Sequence, residues 1–566
     1  MSDIQKKLSA LADERRRILA LSPKKAMDAI IASPEGQAIV HSMADQDFYL
    51  LVNGVGADDA LELLSLASNR QWEYFFDVEA WEKEQIIGRP VVRWFDLLMQ
   101  ADEERFIGWM TKEKTDFLEL FFSYHIEAGL RAHDQDPSEI DDDFFTFDDV
   151  HYVRFITRET PGSVEDENDV AYRDDVLSRF LGRLAQKDAP TFQSLLYNVG
   201  AVLPAEAEEE AYRLRNLRLA EKGLLPFDEA IGIYQPLPRG RSLAKKKADA
   251  PVVDTAFPVP LTPSGLMETE TVFSRALALI DVPRVIFDLQ AEFAALCNRL
   301  AVADQLPIRE KQDLGRVVRK AGGFLQIGFS EIAGQPRPDP VKAAMLLTTH
   351  YLADIFRVGY SRVVAVKTRA DQWYRGSWCR KYDLPVSFWG EQRQGILGGL
   401  LIKRPLFFDA GRDGLFREFE SPADVAVAEN VLAQIMVLDR LLSKTDIDPR
   451  AVSYEILRVE NLMLTLWARH RLGLAEALDF IPVRDFRPFF EELMNDVAGR
   501  PEAAVGDDMK ESFVIWLAGR TGLDPADIIQ DAGPALESIF AGIAEEYGAV
   551  TPEQLDPKFI DLFLVS

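Results

Sequence analysis

Cysteine is scarce in this chain of 566 residues, which contains only Cys297 and Cys379. Two cysteines are too few for a disulfide framework, and these two lack the paired spacing that zinc sites use. The sequence therefore excludes a small secreted protein that is held together by disulfides. We expect both residues to be thiols in the core or at the surface, and we expect no metal and no other cofactor.

Long hydrophobic runs are also missing. A membrane-spanning helix needs roughly 18 to 20 consecutive apolar residues, and the most apolar short run, residues 395–402, is far shorter. The first 21 residues carry charges of both signs and contain no apolar run of signal-peptide length. We therefore predict no membrane insertion and a cytoplasmic location.

Positive charge is in short supply. The chain has 64 Lys and Arg residues against 92 Asp and Glu residues, which gives a formal net charge of −28 at pH 7. Negative charge of this size repels phosphate backbones and anionic lipid. We therefore predict no binding to nucleic acid or to a membrane surface.

The sequence contains none of the short motifs that identify common catalytic sites. His-Glu-x-x-His, Gly-x-Ser-x-Gly, phosphate-binding-loop and protein-kinase motifs are all absent. Gly395, Gly398 and Gly399 form a glycine-rich run, but no Lys-Ser or Lys-Thr pair follows it. The sequence alone therefore leaves open whether the protein is an enzyme.

The composition is nevertheless that of a folded globular chain. Hydrophobic residues make up 47% of it and aromatic residues 10%. The length exceeds that of a single core and suggests roughly three or four domains or one continuous superhelix. We predict an all-α fold, with α-solenoid-like helical repeats in the N-terminal half and a multi-helix domain in the C-terminal half.

The evidence for repeats is one pattern in the N-terminal half. An aspartate is followed by apolar residues at plus four and plus seven, and the three aspartates are 43 and then 86 residues apart. An aspartate in front of such a series accepts hydrogen bonds from the first free N–H groups of a helix. Each copy therefore predicts a helix start, and paired helices stack as in an α-solenoid. The copies are Asp59, Leu63 and Leu66; Asp102, Phe106 and Trp109; and Asp188, Phe192 and Leu195.

An acidic insert, residues 131–175, interrupts the repeats. Its aspartates are possible oxygen ligands for calcium, namely Asp134, Asp136, Asp141, Asp142 and Asp143. The EF-hand order of ligands is absent, so we favour a solvated loop over a calcium site. The alternation over residues 150–156 predicts a short strand within the insert.

Residues 204–234 are the most regular segment of the sequence. Pro204 and the acidic residues 206–210 suit the start of a helix, and arginines toward its other end suit the helix dipole. The simplest interpretation is a capped helical hairpin that ends a domain. Alternatively, the polar side chains of this segment bind an anion or a carboxylate. The residues of that clamp are Arg213, Asn216 and Arg218, with Glu221 and Glu229 as partners.

Three motifs carry a resemblance to a known family. They are Tyr-x-x-Arg-Asn-x-Arg-Leu-Ala-Glu-x-Gly at 212–223, Asp-Glu-Ala-x-x-Ile-Tyr at 228–234 and Phe-Arg-Val-Gly-Tyr-Ser at 356–361. They resemble an uncharacterised bacterial family, a domain of unknown function, over most of the chain. The resemblance implies a cytoplasmic, mostly helical protein and transfers no activity or catalytic residue. Residues 48–126 are also loosely similar to the helical superhelices of magnesium-channel regulatory domains and flagellar motor-switch proteins.

The composition changes abruptly over residues 240–268, where three lysines precede four prolines. Such a stretch has too few apolar residues to order itself, so we predict a flexible linker between domains. The predicted organisation is therefore N-terminal helices at 1–47, a repeat domain at 48–239, the linker, and a C-terminal helical domain at 269–566.

The C-terminal half contains one candidate catalytic group. We predict a long helix from Pro340 that places His350 and Asp354 one turn apart, with Arg357 beside them. A histidine oriented by a carboxylate can act as a base, although a buried His–Asp pair between packed helices is the more common arrangement. The segment that follows, residues 373–411, is aromatic and rich in glycine, and it predicts minor β elements near 385–408 and a pocket wall, with the aromatic residues at 373–389.

Two hypotheses of function follow. The leading one is an intracellular scaffold or regulatory protein that binds another protein through the surface of the helical repeats. The alternative is an enzyme or a small-ligand-binding protein with its site in the C-terminal half, around the candidate catalytic group and the aromatic segment. They differ in an observable way, because a scaffold presents an exposed apolar groove, whereas an enzyme encloses convergent polar side chains.

Overall fold

The fold is predominantly helical, and its strands are few and short. The prediction of an all-α fold with minor β elements is therefore confirmed. Among the described helices, none combines the length and the apolar character that crossing a bilayer requires. The computed structural model describes residues 3–82, 84–132, 136, 139–156, 167–222, 224–237, 243, 245–246, 272–306, 308, 310–334, 339–411, 414–494 and 505–566.

The helices are numbered in chain order. Up to residue 230 they are α1 (Asp3–Leu19), α2 (Pro23–Ile31), α3 (Gly36–Ser42), α4 (Asp45–Val55), α5 (Leu61–Leu66), α6 (Asn69–Glu79), α7 (Gly88–Glu113), α8 (Thr115–His125), α9 (Glu167–Lys187), α10 (Ala189–Val199), α11 (Pro204–Glu221) and α12 (Phe227–Ala230). They continue as α13 (Val272–Ala278), α14 (Pro283–Ala303), α15 (Lys311–Ala333), α16 (Pro340–Thr349), α17 (Leu352–Arg375), α18 (Trp378–Lys381), α19 (Glu391–Leu401), α20 (Pro422–Ser443), α21 (Val459–Arg471), α22 (Val483–Met494), α23 (Asp507–Thr521) and α24 (Pro525–Tyr547).

The strands form three small antiparallel sheets. β1 and β2 make a hairpin, β5 lies between β3 and β4, and β6 pairs with β7. Their bounds are β1 (Trp81–Glu82), β2 (Gln85–Ile86), β3 (Ile126–Leu130), β4 (Phe145–Thr146), β5 (His151–Phe155), β6 (Phe407–Asp409) and β7 (Leu415–Arg417).

The chain divides into two compact units. The first consists of Met1–Ile233, Lys246–Thr269 and Ile280–Arg319, and the second of Tyr234–Lys245, Glu270–Leu279 and Lys320–Ser566. The predicted linker at 240–268 lies outside the described residues, except for Leu243, Lys245 and Lys246. The boundaries at 1–47, 48–239 and 269–566 stay predictions.

An apolar core of the first unit runs from Ile18 on α1 to Leu219 on α11. The centre of this core is aromatic, since the Phe106 ring lies 5.1 Å from that of Phe95 and 6.1 Å from that of Phe180. The apolar residues at plus four and plus seven of the sequence pattern all pack in this core, Leu66 half-buried and the other five buried. The predicted burial of these positions is confirmed, and the repeat itself stays a prediction.

The aspartates of the pattern differ among themselves. Asp188 caps α10, because its Oδ1 accepts a hydrogen bond of 3.2 Å from the backbone N–H of Thr191. Asp102 breaks α7 with φ −161° and ψ 83°, and its Oδ1 accepts a bond of 3.1 Å from the N–H of Arg105. The same prediction is wrong for Asp59, because a short 3-10 turn (Ala57–Asp59) comes first and α5 begins only at Leu61.

The acidic insert contains the predicted strand, which is β5. Ile126 on β3 pairs with Phe155, and Phe145 on β4 pairs with Val153, so the insert adds a sheet to the helical body. The described part of the chain contains no group of three or more His, Cys, Asp or Glu side chains that could hold a metal. Asp134 lies outside the described residues.

The second unit packs α15 against α17 with their backbones in close approach. A Cβ atom at Gly359 would lie 2.0 Å from the carbonyl oxygen of Phe324, and one at Gly328 would lie 2.2 Å from that of Ile355. Only glycine leaves room for such an approach. These glycines therefore fix how the central pair of helices of this unit meets.

One local prediction in the second unit is wrong. The single helix from Pro340 ends at Thr349, because His350 is extended (φ −128°, ψ 153°) and α17 starts at Leu352. The minor β element expected near 385–408 is β6, which begins at Phe407, and the preceding glycine-rich run forms α19. The β6–β7 hairpin packs closely on Gly395 of α19, because a Cβ at this position would lie 2.3 Å from the Phe408 ring.

Candidate functional site

The catalytic candidates of the second unit hold chain segments together. The Nδ1 atom of His350 lies 2.8 Å from Oγ1 of Thr349, and the His350 backbone forms an isolated bridge with Lys245. In the described structure no hydrogen bond joins His350 to Asp354. Asp354 instead lies 3.7 Å from an Nη1 atom of Arg357.

Arg357 binds the backbone of a neighbouring segment of the chain. Its Nε donates a hydrogen bond of 3.1 Å to the carbonyl oxygen of Gln235, and Oγ of Ser361 accepts one of 3.1 Å from the N–H of Leu237. Both residues belong to α17. The two bonds tie the segment 235–237 to α17, which explains these side chains without a reaction.

The aromatic segment 373–389 is bound to Asp439 on α20. Nε1 of Trp373 and the N–H of Cys379 donate bonds of 3.1 and 3.3 Å to the two carboxylate oxygens of Asp439. Burial raises the pKa of Asp439 above its usual range, and it raises the pKa of the Cys379 thiol to about 12. A thiol that stays protonated is a poor nucleophile.

The predicted clamp residues of α11 and α12 have different surroundings. Arg213 is exposed and pairs with the exposed Glu210 at 2.6 Å. The amide oxygen of Asn216 accepts a bond of 3.3 Å from Arg215. Glu221 and Glu229 are exposed at the surface of the first unit. Arg218 is the one clamp residue that reaches an enclosed site.

Arg218 anchors α11 on α6. Its Nη2 and Nε donate to the two carboxylate oxygens of Asp77 at 2.6 and 3.0 Å, and its Nε also lies 3.0 Å from Glu73. Asp77 is 2% exposed, and this burial raises the pKa of its carboxyl despite the guanidinium beside it. The pair is therefore buried, bidentate and already complete.

These residues close one end of a cavity of about 470 Å³ in the first unit. We call it the α11 groove, and it is bounded by α6, α7, α8, α11 and the loop before α11. A cavity of this size holds a few apolar side chains or a small organic molecule. Its lining combines aromatic rings, small apolar residues and acidic side chains.

The floor of the α11 groove is aromatic. The Phe76 ring lies 5.9 Å from both Trp109 and Phe117, and all three line the cavity. Trp81 adds a further ring at the side. Such a floor favours apolar or aromatic side chains, because burying them removes apolar surface from water.

One face of α11 forms the wall of the groove. Ala207, Ala211 and Leu214 line the cavity with Leu203, which precedes the helix, at helical spacings of four, four and three residues. The two alanines leave the groove open. Leu203 is 63% exposed and Leu214 is 37% exposed, so the apolar surface continues out of the cavity into solvent.

The rim of the groove is acidic. Glu113, Asp116 and Glu206 line it with exposed side chains. Its two cations are already occupied, since Lys114 pairs with Glu73 and Arg218 pairs with Asp77. Among the described contacts, Asp116 and Glu206 have no ion pair. The rim therefore presents net negative charge around an apolar floor.

The sequence contained a signal for this groove that the interpretation of residues 204–234 did not use. The small and apolar residues at 203, 207, 211 and 214 mark a helix face that does not pack in the core. The arginines drew the functional hypothesis to the same helix, but only Arg218 belongs to the site.

Comparisons with known proteins identify a family and no relative of known function. A family model described as "Family of unknown function (DUF6178)" matches residues 2–566. No curated protein and no solved structure matches the chain. The matched range includes the three motifs that carried the resemblance to an uncharacterised family, so that expectation is confirmed.

Proposed function

The chain belongs to the family of unknown function DUF6178, and we propose that it is an intracellular scaffold or regulatory protein that binds another protein through the α11 groove. The observation that carries the proposal is the open cavity of about 470 Å³ with an aromatic floor. An exposed apolar groove is the property that separates a binding surface from ordinary protein surface.

The extent of the apolar surface favours a protein over a small molecule. Leu203 and Leu214 are exposed at the edge of the cavity, and Leu217, three residues beyond Leu214 on α11, is 52% exposed. A small ligand in the cavity would leave Leu217, which does not line it, in water. A partner segment that follows α11 would cover all three leucines together with the aromatic floor.

The helical repeat supports the same proposal in a weaker way. Asp102 and Asp188 both cap helices whose apolar residues pack in the core of the first unit. We propose that these helices are related as repeats and that the groove is the concave surface such an arrangement leaves. The enzyme alternative gains no comparable support, because its candidate residues are bonded to one another or to the backbone.

The proposal is tested by filling the groove. Ala211→Phe places a ring in the cavity, whereas Ala205→Phe adds the same ring to an exposed position of α11. Both full-length variants and the unaltered chain are immobilised and exposed to an extract of the native cells. We expect a protein that is retained by the unaltered chain and by Ala205→Phe but lost with Ala211→Phe. Equal retention by all three overturns the proposed site.

A further inference from the structure

We propose that the segment that occupies the α11 groove is a basic amphipathic helix of the partner protein, an inference that rests on the proposed function. The groove combines an aromatic floor with an acidic rim, so its occupant must be apolar on one side and positively charged at the edges. An amphipathic helix with Lys or Arg beside its apolar stripe has this pattern.

Glu119 lines the groove together with the three carboxylates of the rim. Glu113 and Glu119 bond to neutral amides, those of Asn69 and Asn198, at 2.9 and 2.7 Å. Asp116 and Glu206 have no ion pair within the described part of the chain. These four carboxylates therefore have no bonded cation. An approaching cation gains attraction from all four without having to break a pair in the protein.

The groove offers no comparable site for an anion. Two cations line it, and Lys114 pairs with Glu73, whereas Arg218 pairs with Asp77 and Glu73. An acidic segment or an anionic lipid surface would meet the rim carboxylates and would be repelled. The net charge of −28 adds to this repulsion and attracts basic partners from a distance.

The rings can also receive the cationic side chains directly. Nζ of Lys114 lies 5.9 Å from the centre of the Trp109 ring, and the guanidinium carbon of Arg215 lies 5.6 Å from that of Trp81. Both tryptophans line the groove. Aromatic rings that already accept cations in the protein suit lysine or arginine at the edge of a bound helix.

The length of the groove wall fits a short helix. Leu203 and Arg218 are fifteen residues apart and both line the cavity, which corresponds to about 22 Å of helix. A partner helix of about 15 residues covers this distance and presents four apolar side chains at i, i+4, i+7 and i+11. A small organic cation fits the cavity too, but it leaves Leu217 exposed.

The experiment uses three synthetic peptides of about 15 residues. The first has Leu and Trp at the four apolar positions and Lys elsewhere, the second replaces each Lys by Glu, and the third has the lysine composition of the first with the apolar residues scattered around the helix. Binding to the full-length chain is measured by fluorescence anisotropy. We expect the first peptide to bind at least about tenfold more tightly than either of the others and to weaken with added salt.

Two charge-reversal variants on the same helix then locate the binding. Glu206→Lys reverses a carboxylate of the groove rim, whereas Glu209→Lys reverses an exposed one that does not line the groove. Both change the net charge equally. We expect Glu206→Lys to weaken binding of the lysine peptide by about tenfold and Glu209→Lys to weaken it by less than about twofold. Circular dichroism of both variants tests whether they are folded.

The outcomes separate the chemistry of the partner from the existence of the site. Equal binding of the lysine and glutamate peptides, or equal effects of the two reversals, overturns the basic helix. Tight binding of a small aliphatic ammonium ion that displaces the lysine peptide completely also overturns it, in favour of a small-cation site. None of these outcomes changes whether Ala211→Phe abolishes retention of a native protein. The proposed function is therefore tested separately from the chemistry of the partner.

Discussion

Arg213 and Arg218 lie five residues apart on α11 and have opposite surroundings. Arg213 pairs with Glu210 in solvent, where side-chain entropy and screening leave an ion pair with little net effect. Arg218 is bound to Asp77, which is 2% exposed. Removal of Arg218 leaves a buried carboxylate without its cation, and that is much more costly than loss of the pair itself.

Arg218→Ala should therefore lower the free energy of unfolding by about 2–4 kcal/mol. Arg213→Ala is its matched control on the same helix and should have no measurable effect. Urea denaturation followed by circular dichroism measures both. A loss of stability of similar size in the two variants would show that α11 is not anchored through Asp77.

Asp47 gives the first unit a dependence on pH. Burial raises the pKa of its carboxyl to about 6, and Arg15 opposes this rise. The unfolded chain has the ordinary, lower pKa, so between these values the folded state holds a proton that the unfolded state has released. Stability from this group therefore increases as the pH falls from about 7 to 4, and above pH 6 the folded state must hold a partly desolvated carboxylate.

Asp47→Asn should raise the free energy of unfolding at pH 7 by about 1–3 kcal/mol, because it removes this desolvated charge. The gain should shrink as the pH falls and disappear near about pH 3, where the carboxyl is mostly protonated in both states. Asp28→Asn, at an exposed position, is the control and should change neither value. A gain that does not shrink with falling pH would contradict a desolvated, titrating Asp47.

At the scale of elements, the start of a helix depends on which residue lies at the N-cap position. Asp102 and Asp188 accept bonds from the N–H groups three residues on, whereas Asp59 is the last residue of a 3-10 turn. The carboxylate of Asp59 precedes Ala60, which occupies the cap position of α5. The same residue type at the same spacing thus has different local structure.

Asp102→Ala should lower the free energy of unfolding by about 0.5–2 kcal/mol through loss of its cap. Asp188→Ala should change stability in the same direction, and Asp59→Ala should have little effect. Thermal denaturation of the three variants measures how their losses of stability compare. If Asp59→Ala destabilises the protein as much as Asp102→Ala, the three positions are equivalent caps in solution.

Helical content and apolar positions could be predicted from the sequence, because they depend on local spacing. Phe106 and Phe192 fall on the buried faces as expected. The break at His350 could not be predicted, since an apolar series continues from Leu347 through Ile355 and the extended residue pairs with Lys245, more than a hundred residues away. The α11 groove depends on α6, α7, α8 and α11 meeting, and no local pattern contains that information.

At the scale of the whole molecule, each compact unit takes residues from both sides of the chain segment 246–269. Ile280–Arg319 belongs to the first unit, and Tyr234–Lys245 belongs to the second. A division of the chain into two consecutive domains would give each unit a continuous stretch of sequence. The observed division instead makes each unit depend on both halves of the chain.

A chain that is cut within 251–268 should therefore stay together. We expect a specific protease site inserted after Pro258 to give two fragments that elute as one species in size-exclusion chromatography and separate only in denaturant. The uncut variant with the same insertion is the control. Two folded fragments that elute separately would favour the predicted boundary, with continuous domains before and after 240–268.

The central claim is that another protein lies in the α11 groove, and site-specific photo-crosslinking in the native cells tests it most directly. A benzophenone amino acid replaces Leu214 at the edge of the groove or, as the control, Ala205 on the exposed side of α11. The proposal predicts one covalent adduct to a single protein from position 214, none from position 205, and loss of the adduct when Ala211→Phe is added. Adducts of equal yield from both positions, or an adduct at position 214 that survives Ala211→Phe, would contradict it.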